Sequence, residues 1–282
     1  MPLTVAQILQ QSAERLSVFS ETPRLDAELL LSRALRISRA SLLSRMQEVV
    51  EDTAFFDTLL ARRLAFEPLA YIFGEWEFYG RSFLVRPPLL TPRPETEHLI
   101  EVGLAFLSEK EMPCRIIDVG CGTGCIAVTL ACEAPRHEVF ALDIRPDAAA
   151  LTKMNARQHR AEISVLRSDL LAAFPGNTPL FDLIVSNPPY VPEDEWSRLS
   201  PVITRHEDPG ALLAGRDGLD IYRRLIPQAK TLLLPGGALV LETGEDQHPP
   251  LKALLSKSGF VEIRSFSDLA GFDRILSARC PL

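Results

Sequence analysis

Arg115-Ile116-Ile117-Asp118-Val119-Gly120-Cys121-Gly122-Thr123-Gly124-Cys125 joins a short apolar run to three glycines spaced by single residues, and its reading decides the fold. A run of this length without polar alternation reads as a buried strand of a parallel sheet. Glycines placed directly after it open a strand-to-helix turn, where missing Cβ atoms let a ligand approach the backbone closely. The spacing is G-x-G-x-G. Cys125 stands where a dinucleotide fingerprint requires its third glycine, and no Lys-Ser/Thr pair follows for a phosphate loop, so NAD and ATP lose ground.

Downstream, strand-like runs recur at Glu138 to Asp143, Ile163 to Ser168, Leu180 to Ser186, Ala238 to Thr243, Val261 to Ser265 and Arg274 to Ala278. Helical stretches separate the first six runs, counting Arg115 to Val119, and only a short link around Gly271 joins the last two. The expectation is an α/β fold: a seven-strand Rossmann-like sheet with the last strand antiparallel, preceded by a helical bundle. Asp143 ends the second strand about twenty residues beyond the glycines, where a carboxylate can accept hydrogen bonds from both ribose hydroxyls of an adenosine cofactor. Asp169 ends the third strand and suits an adenine amino group, with Leu170 packing on the ring. One such acid alone would read as a helix N-cap. Glycines and acids ending three successive strands outweigh that reading.

Leu183-Ile184-Val185 closes on Asn187-Pro188-Pro189-Tyr190, at the carboxyl end of a central strand, where open α/β sheets bind ligands. Asn187 offers a side-chain carbonyl and Pro188 a backbone carbonyl. Two such acceptors would hold both N–H bonds of a planar NH2 group and aim its lone pair at an incoming methyl. Prolines at 188 and 189 stiffen this cradle, and Tyr190 can pack flat on the planar group. In-line methyl transfer is largely a matter of positioning, which this arrangement can supply.

The N-terminal part differs. Val5, Ile8, Leu9, Ala13 and Leu16 share one helical face after a Thr4 N-cap, Thr22 caps a second helix with Pro23 at its first position, and Ser38 caps a third around Leu42 to Met46. Residues 1–75 thus read as a helical domain, which the resemblance described below makes the substrate-docking one, 76–94 as a hairpin and proline-rich connector, and 95–282 as the domain carrying the glycine loop and Asn187 to Tyr190. The 282 residues are 46% hydrophobic and 24% charged, a globular composition. A net charge of −7 argues against a broad nucleic-acid surface. No stretch has the length of a membrane span, and Met1 to Ser20 lacks the layout of a secretion signal, so a cytoplasmic protein is expected. Five cysteines, with no C-x-x-C pair and no zinc-finger histidine spacing, imply reduced thiols and no metal site.

Together, Asp118 to Gly124, Asp143, Asp169 and Asn187 to Tyr190 resemble the class I S-adenosyl-L-methionine-dependent methyltransferases that modify amide or exocyclic amino nitrogens. Three further segments narrow the resemblance: Pro68 to Gly80, Thr91 to Glu97, and Gly215-Arg216-Asp217-Gly218-Leu219-Asp220-Ile221-Tyr222. In this order they resemble the release factor glutamine methyltransferase family over nearly the whole chain. The resemblance implies S-adenosyl-L-methionine as cofactor and the glutamine of the Gly-Gly-Gln motif of peptide chain release factors as acceptor. It carries cofactor binding to Gly120, Cys121, Gly122, Thr123, Gly124, Asp143, Asp169, Leu170 and Asn187, and acceptor holding to Asn187, Pro188, Pro189 and Tyr190. One departure stands in Glu207-Asp208-Pro209, where Asp208 intervenes between the expected Glu and Pro. A relative acting on a glutamine of a ribosomal protein is a near alternative. An adenine-N6 DNA methyltransferase, which holds a flipped base in the same tetrapeptide, is a more distant one. Residues 1–80 hold eight arginines, no lysine and eleven acids, which suits DNA poorly.

Overall fold

The computed structural model describes residues 2–174, 178–268 and 271–282. The chain forms two compact units: the part up to Gly74 with Leu199–Glu207, and Glu75–Arg198 with Asp208–Leu282.

In the first unit, β1 (Leu3–Thr4), α1 (Val5–Leu16), α2 (Pro23–Leu35), α3 (Arg39–Ser44), β2 (Val49–Val50), α4 (Ala54–Leu64) and α5 (Leu69–Phe73) follow one another. Thr4 and Gln7 form a reciprocal capping box, and the Ser38 hydroxyl caps α3 by accepting from the Ser41 N–H. Two expectations are corrected. This segment is not helical throughout, because Leu3–Thr4 pairs antiparallel with Val49–Val50. Thr22 precedes α2 but does not cap it through its side chain; its hydroxyl donates to Asp26 instead. Asp26 is buried, accepts also from Ser20, and forms an ion pair with Arg63 at 2.8 Å. Removing either ion would strand the other in an apolar bundle.

The second unit opens with β3 (Glu75–Phe78) and β4 (Arg81–Leu84), an antiparallel hairpin. Tyr79 and Gly80, both at positive φ, form its two-residue turn, matching the right-handed twist of the strands. Next come α6 (Thr96–Ser108), β5 (Arg115–Val119), α7 (Cys125–Glu133), β6 (Glu138–Asp143), α8 (Pro146–His159), β7 (Ile163–Arg167) and β8 (Phe181–Ser186). After the short α9 (Pro201–Thr204) of the first unit, the chain continues as α10 (Asp220–Leu232), β9 (Leu233–Glu242), α11 (His248–Lys257), β10 (Val261–Ser267) and β11 (Asp273–Arg279).

The seven strands lie in the order β10-β11-β9-β8-β5-β6-β7, and β11 runs antiparallel to both its neighbours. The expected seven-strand sheet with a reversed last strand is therefore the observed one. Ile116, Leu183, Val185 and Val240 face a core built with α6 and α7, whereas Ile117, Ile184, Leu239 and Leu241 face one built with α10 and α11. Burial on both faces explains why these strands read as continuous apolar runs. Two details differ from expectation. Among the described residues, β7 is followed by a 3-10 turn, Leu170–Ala173, rather than a helix, and β9 begins five residues early, at Leu233. The early part of β9 carries Pro235 and Gly236, and its register with β8 shifts between Phe181 and Leu183. From β5 the sheet grows outward through β6 on one side and β8 on the other. The crevice at the carboxyl ends of β5 and β8 is thus the topological switch point.

Candidate active site

Asp118, next to last in β5, is fully buried, and its Oδ2 accepts from the Ala127 N–H at 3.2 Å, which anchors the first turn of α7. Among the described residues its Oδ1 has no hydrogen-bond partner. Burial pushes the Asp118 carboxyl up to about 8, so it is neutral at physiological pH. Beyond it the loop folds back, with the Gly120 and Cys121 N–H groups both donating to the Leu142 carbonyl. From below, the Thr152 hydroxyl and the Asn155 amide on α8 donate to the carbonyls of Gly122 and Thr123.

The three glycines play two roles. All have positive φ, from 53° to 82°. A Cβ added at Gly120 or Gly122 would meet no protein atom within 4 Å, and both residues line a cavity of about 290 Å³. A Cβ on Gly124 would instead stand 2.7 Å from Thr152 Cγ2, and Gly124 does not line that cavity. Gly124 therefore serves close packing against α8. Cys121 and Thr123 line the cavity while their side chains are buried, and the Cys121 sulfur lies 3.3 Å from the Thr152 hydroxyl.

Asp143 reaches the same cavity from the end of β6. Its Oδ2 accepts from the Gly122 N–H at 2.9 Å and its Oδ1 from the Arg145 N–H at 2.8 Å. Each oxygen keeps a lone pair for a further donor. Burial raises the Asp143 carboxyl above the usual range, and the two backbone donors oppose that rise. Asp169 and Leu170 also line the cavity. Asp169 is engaged by Arg224 of α10 at 2.5 Å, a partner the sequence did not suggest, and Leu170 holds a φ of 47°. A left-handed backbone at a leucine is costly and tends to occur at binding sites. An adenosine-type cofactor fits this donor set: open glycine backbone, a ribose-height carboxylate with free lone pairs, and an apolar rim with an acid at its end.

Asn187, Pro188 and Pro189 line the far side of that cavity and, with Tyr190 and Glu242, a small recess beside it. The Asn187 side-chain amide donates to Thr96 Oγ at 3.1 Å. In the same recess sits Glu242, only 2% exposed, with the Thr96 and Asn187 side chains near enough to favour its ionised form. With its NH2 engaged, Asn187 has its carbonyl left to offer an acceptor. Tyr190 is half-buried, and desolvation raises its hydroxyl well above the ordinary range, so it stays neutral.

Sequence reasoning did not single out Glu242, Arg224 or Gln247, and reached Thr96 only as a member of the Thr91 to Glu97 segment. A carboxylate closing the apolar run of β9 is the same signal that marked Asp143, and it could have flagged Glu242. The Gly215 to Tyr222 segment proves to brace the tetrapeptide. Gln247 donates to the Tyr190 carbonyl at 2.8 Å, and a Cβ on Gly218 would lie 2.2 Å from that carbonyl. The departing Asp208 accepts from the Gly210 N–H and forms an ion pair with Arg145, while its own N–H donates to Pro88. It thereby ties the loop of Gly210 and Ala211, which line the cavity, to the start of α8.

This sheet order and switch-point cavity define the methyltransferase fold. Residues 101–200 match the family model described as methyltransferase small domain. A methyltransferase of Pyrococcus furiosus shares the fold with a TM-score of 0.54 at 16% identity, over 80% of this chain and 100% of that one. Residues 7–74 match the PrmC N-terminal domain model. The chain is 40% identical to the release factor glutamine methyltransferase of Koribacter versatilis over 99% of each, and 39% identical to that of Nitratidesulfovibrio vulgaris over 98% and 95%. The chain belongs to the release factor glutamine methyltransferase family. Among the described residues no helix is long and apolar enough to cross a membrane, and no cluster of side chains could hold a metal ion.

Proposed function

We propose that this chain transfers a methyl group from S-adenosyl-L-methionine to the side-chain amide nitrogen (N5) of the glutamine in the Gly-Gly-Gln motif of peptide chain release factors. The observation that carries the reading is the Asn187 amide, held by Thr96 with its carbonyl left for an acceptor, at the rim of a cavity floored by open glycine backbone. Family membership over nearly the full length supports the substrate.

In this reading the Gly120 and Gly122 backbone lets the cofactor lie close to the loop. The Asp143 lone pairs accept from its ribose hydroxyls, and Asp169 and Leu170 meet its adenine edge and face. The cofactor supplies an electrophilic methyl on a sulfonium sulfur. Asn187 and the Pro188 carbonyl hold both N–H bonds of the glutamine carboxamide, turning its weakly nucleophilic lone pair toward the methyl, and Tyr190 packs on the planar group. The methyl–sulfur bond breaks as the methyl–nitrogen bond forms, leaving a neutral thioether, and no strong base is needed beforehand, because the methylated nitrogen is strongly acidic and gives its proton to water. The first unit serves as the docking surface for the release factor. Arg24, Arg39, Arg62 and Arg63 within it are already paired with carboxylates, which supports a protein partner over nucleic acid. A release-factor substrate places the reaction in the cytoplasm.

Asn187→Ala tests the reading. Cofactor affinity should stay near the parent value while transfer to the release factor falls by about 100-fold or more. Parent-level turnover would sink the assignment.

A further inference from the structure

Glu242 is the most deeply buried carboxylate beside the cavity wall formed by Asn187, and the methyl transfer described above gives it no task. We infer that Glu242 is a positioning residue for methyl transfer: acting with Thr96, it locks the Asn187 side chain in the orientation that presents a carbonyl, not an amide NH2, to the acceptor. The inference rests on the reading of Asn187 as the holder of the acceptor nitrogen.

An asparagine amide is nearly symmetric in shape, so packing alone hardly distinguishes its two orientations. Here the distinction is made by hydrogen bonding. An ionised carboxylate can only accept, so whichever Asn187 atom faces Glu242 must be its nitrogen. Thr96 Oγ accepts from the Asn187 amide at 3.1 Å, and Glu242 lines the same recess as Asn187, so side chains from β8, α6 and β9 meet there. Among the described residues Glu242 Oε2 has no hydrogen-bond partner, so this oxygen is an acceptor with nothing yet to hold. The backbone at Glu242 is fixed as well, because the buried Tyr222 hydroxyl donates to its carbonyl at 2.6 Å. A flipped Asn187 would point NH2 at an acceptor that itself carries N–H bonds, and the cradle would repel what it has to hold. The same logic selects an NH2-bearing acceptor over a carbonyl oxygen.

Protonation of Glu242 would reverse the lock, because a neutral carboxyl can donate to the Asn187 carbonyl. Burial, opposed by the polar side chains of Thr96 and Asn187, lifts the Glu242 carboxyl to about 7. The charged and titratable groups around it are Glu95, which raises it further, Arg274, which lowers it, and the neutral Tyr190, Tyr222 and Cys125. Transfer should therefore need the ionised form.

The test is single-turnover transfer to full-length release factor between about pH 5.5 and 8.5, with cofactor affinity and melting temperature measured in parallel. The parent enzyme should lose about tenfold per pH unit below the Glu242 transition. E242Q, whose carbonyl can still accept from Asn187, should lose that acid limb and retain a flat, reduced rate. T96V, nearly isosteric, should lower kcat by about tenfold or more with cofactor affinity unchanged and the limb retained. An acid limb that persists in E242Q would overturn the inference, as would parent-level kcat in both folded variants. N187A separates the two layers: full activity there would sink the assignment of Asn187 itself, whereas collapse in N187A with parent-like E242Q and T96V would reject only the role of Glu242.

Discussion

Alanine at Gly124 and alanine at Gly122 should damage the protein in different ways, although the two glycines are neighbours in one motif. At Gly124 the backbone has φ of +82°, and a Cβ would stand 2.7 Å from Thr152 Cγ2 and 3.0 Å from the Thr152 Cα. The left-handed conformation costs an L-residue about 1–2 kcal/mol. The contact with α8 adds about 1–3 kcal/mol, since a main-chain atom cannot swing aside. Gly124→Ala should therefore destabilise by about 2–5 kcal/mol, a melting-temperature loss of about 4–20 °C for a unit of this size. At Gly122, with φ of +53° and no atom within 4 Å, only the backbone cost of about 1–2 kcal/mol applies. There the new methyl occupies ligand space, and titration calorimetry should show S-adenosyl-L-methionine affinity falling by about tenfold or more. Equal losses of melting temperature, or an unchanged affinity in Gly122→Ala, would refute the division of the motif into a packing glycine and a ligand-facing one.

Asp118→Asn should flatten the pH dependence of stability. The folded-state carboxyl titrates at about 8 against an ordinary value of 3.8, so its contribution is full below the lower value and is lost as pH rises through the upper one. In that window the parent should lose up to about 1.4 kcal/mol per pH unit from this group, and urea unfolding of the variant between about pH 5 and 8.5 should lack that slope. An unchanged slope would contradict a neutral buried Asp118. Asp143→Ala should weaken cofactor binding by about tenfold or more, because the ribose acceptor is lost along with the partner of two backbone N–H groups; normal affinity in calorimetry would refute the ribose assignment. Arg224→Ala should change stability by less than about 1 kcal/mol, since both partners of its ion pair with Asp169 are half-exposed, and a larger fall in melting temperature would show that the pair does more.

The sheet and its switch point were legible because burial on both faces leaves long apolar runs, and because the glycines and acids that end them have few other reasons to recur at strand ends. Asn187 to Tyr190 was legible for the same reason. Gly124 was grouped with the ligand-facing residues because a glycine that approaches Thr152 closely looks identical in sequence to one demanded by a ligand. The role of Glu242, and that of Thr96 within the Thr91 to Glu97 segment, went unread because these residues lie 55 and 91 positions from Asn187 in the sequence. Gln247 and Gly218 support Tyr190 through its backbone carbonyl, an atom every residue carries, so no side-chain pattern advertises them. The two-residue β1–β2 pair was missed because four residues are too few to show a period.

The central claim is most directly tested by intact and peptide mass spectrometry of purified release factor incubated with this protein and S-adenosyl-L-methionine, using substrate with the Gly-Gly-Gln glutamine present or replaced. The expected result is a single methyl added to that glutamine and none on the replaced substrate. Methylation at another residue, or no methylation although calorimetry shows bound cofactor, would contradict the assignment and turn attention to a ribosomal-protein glutamine.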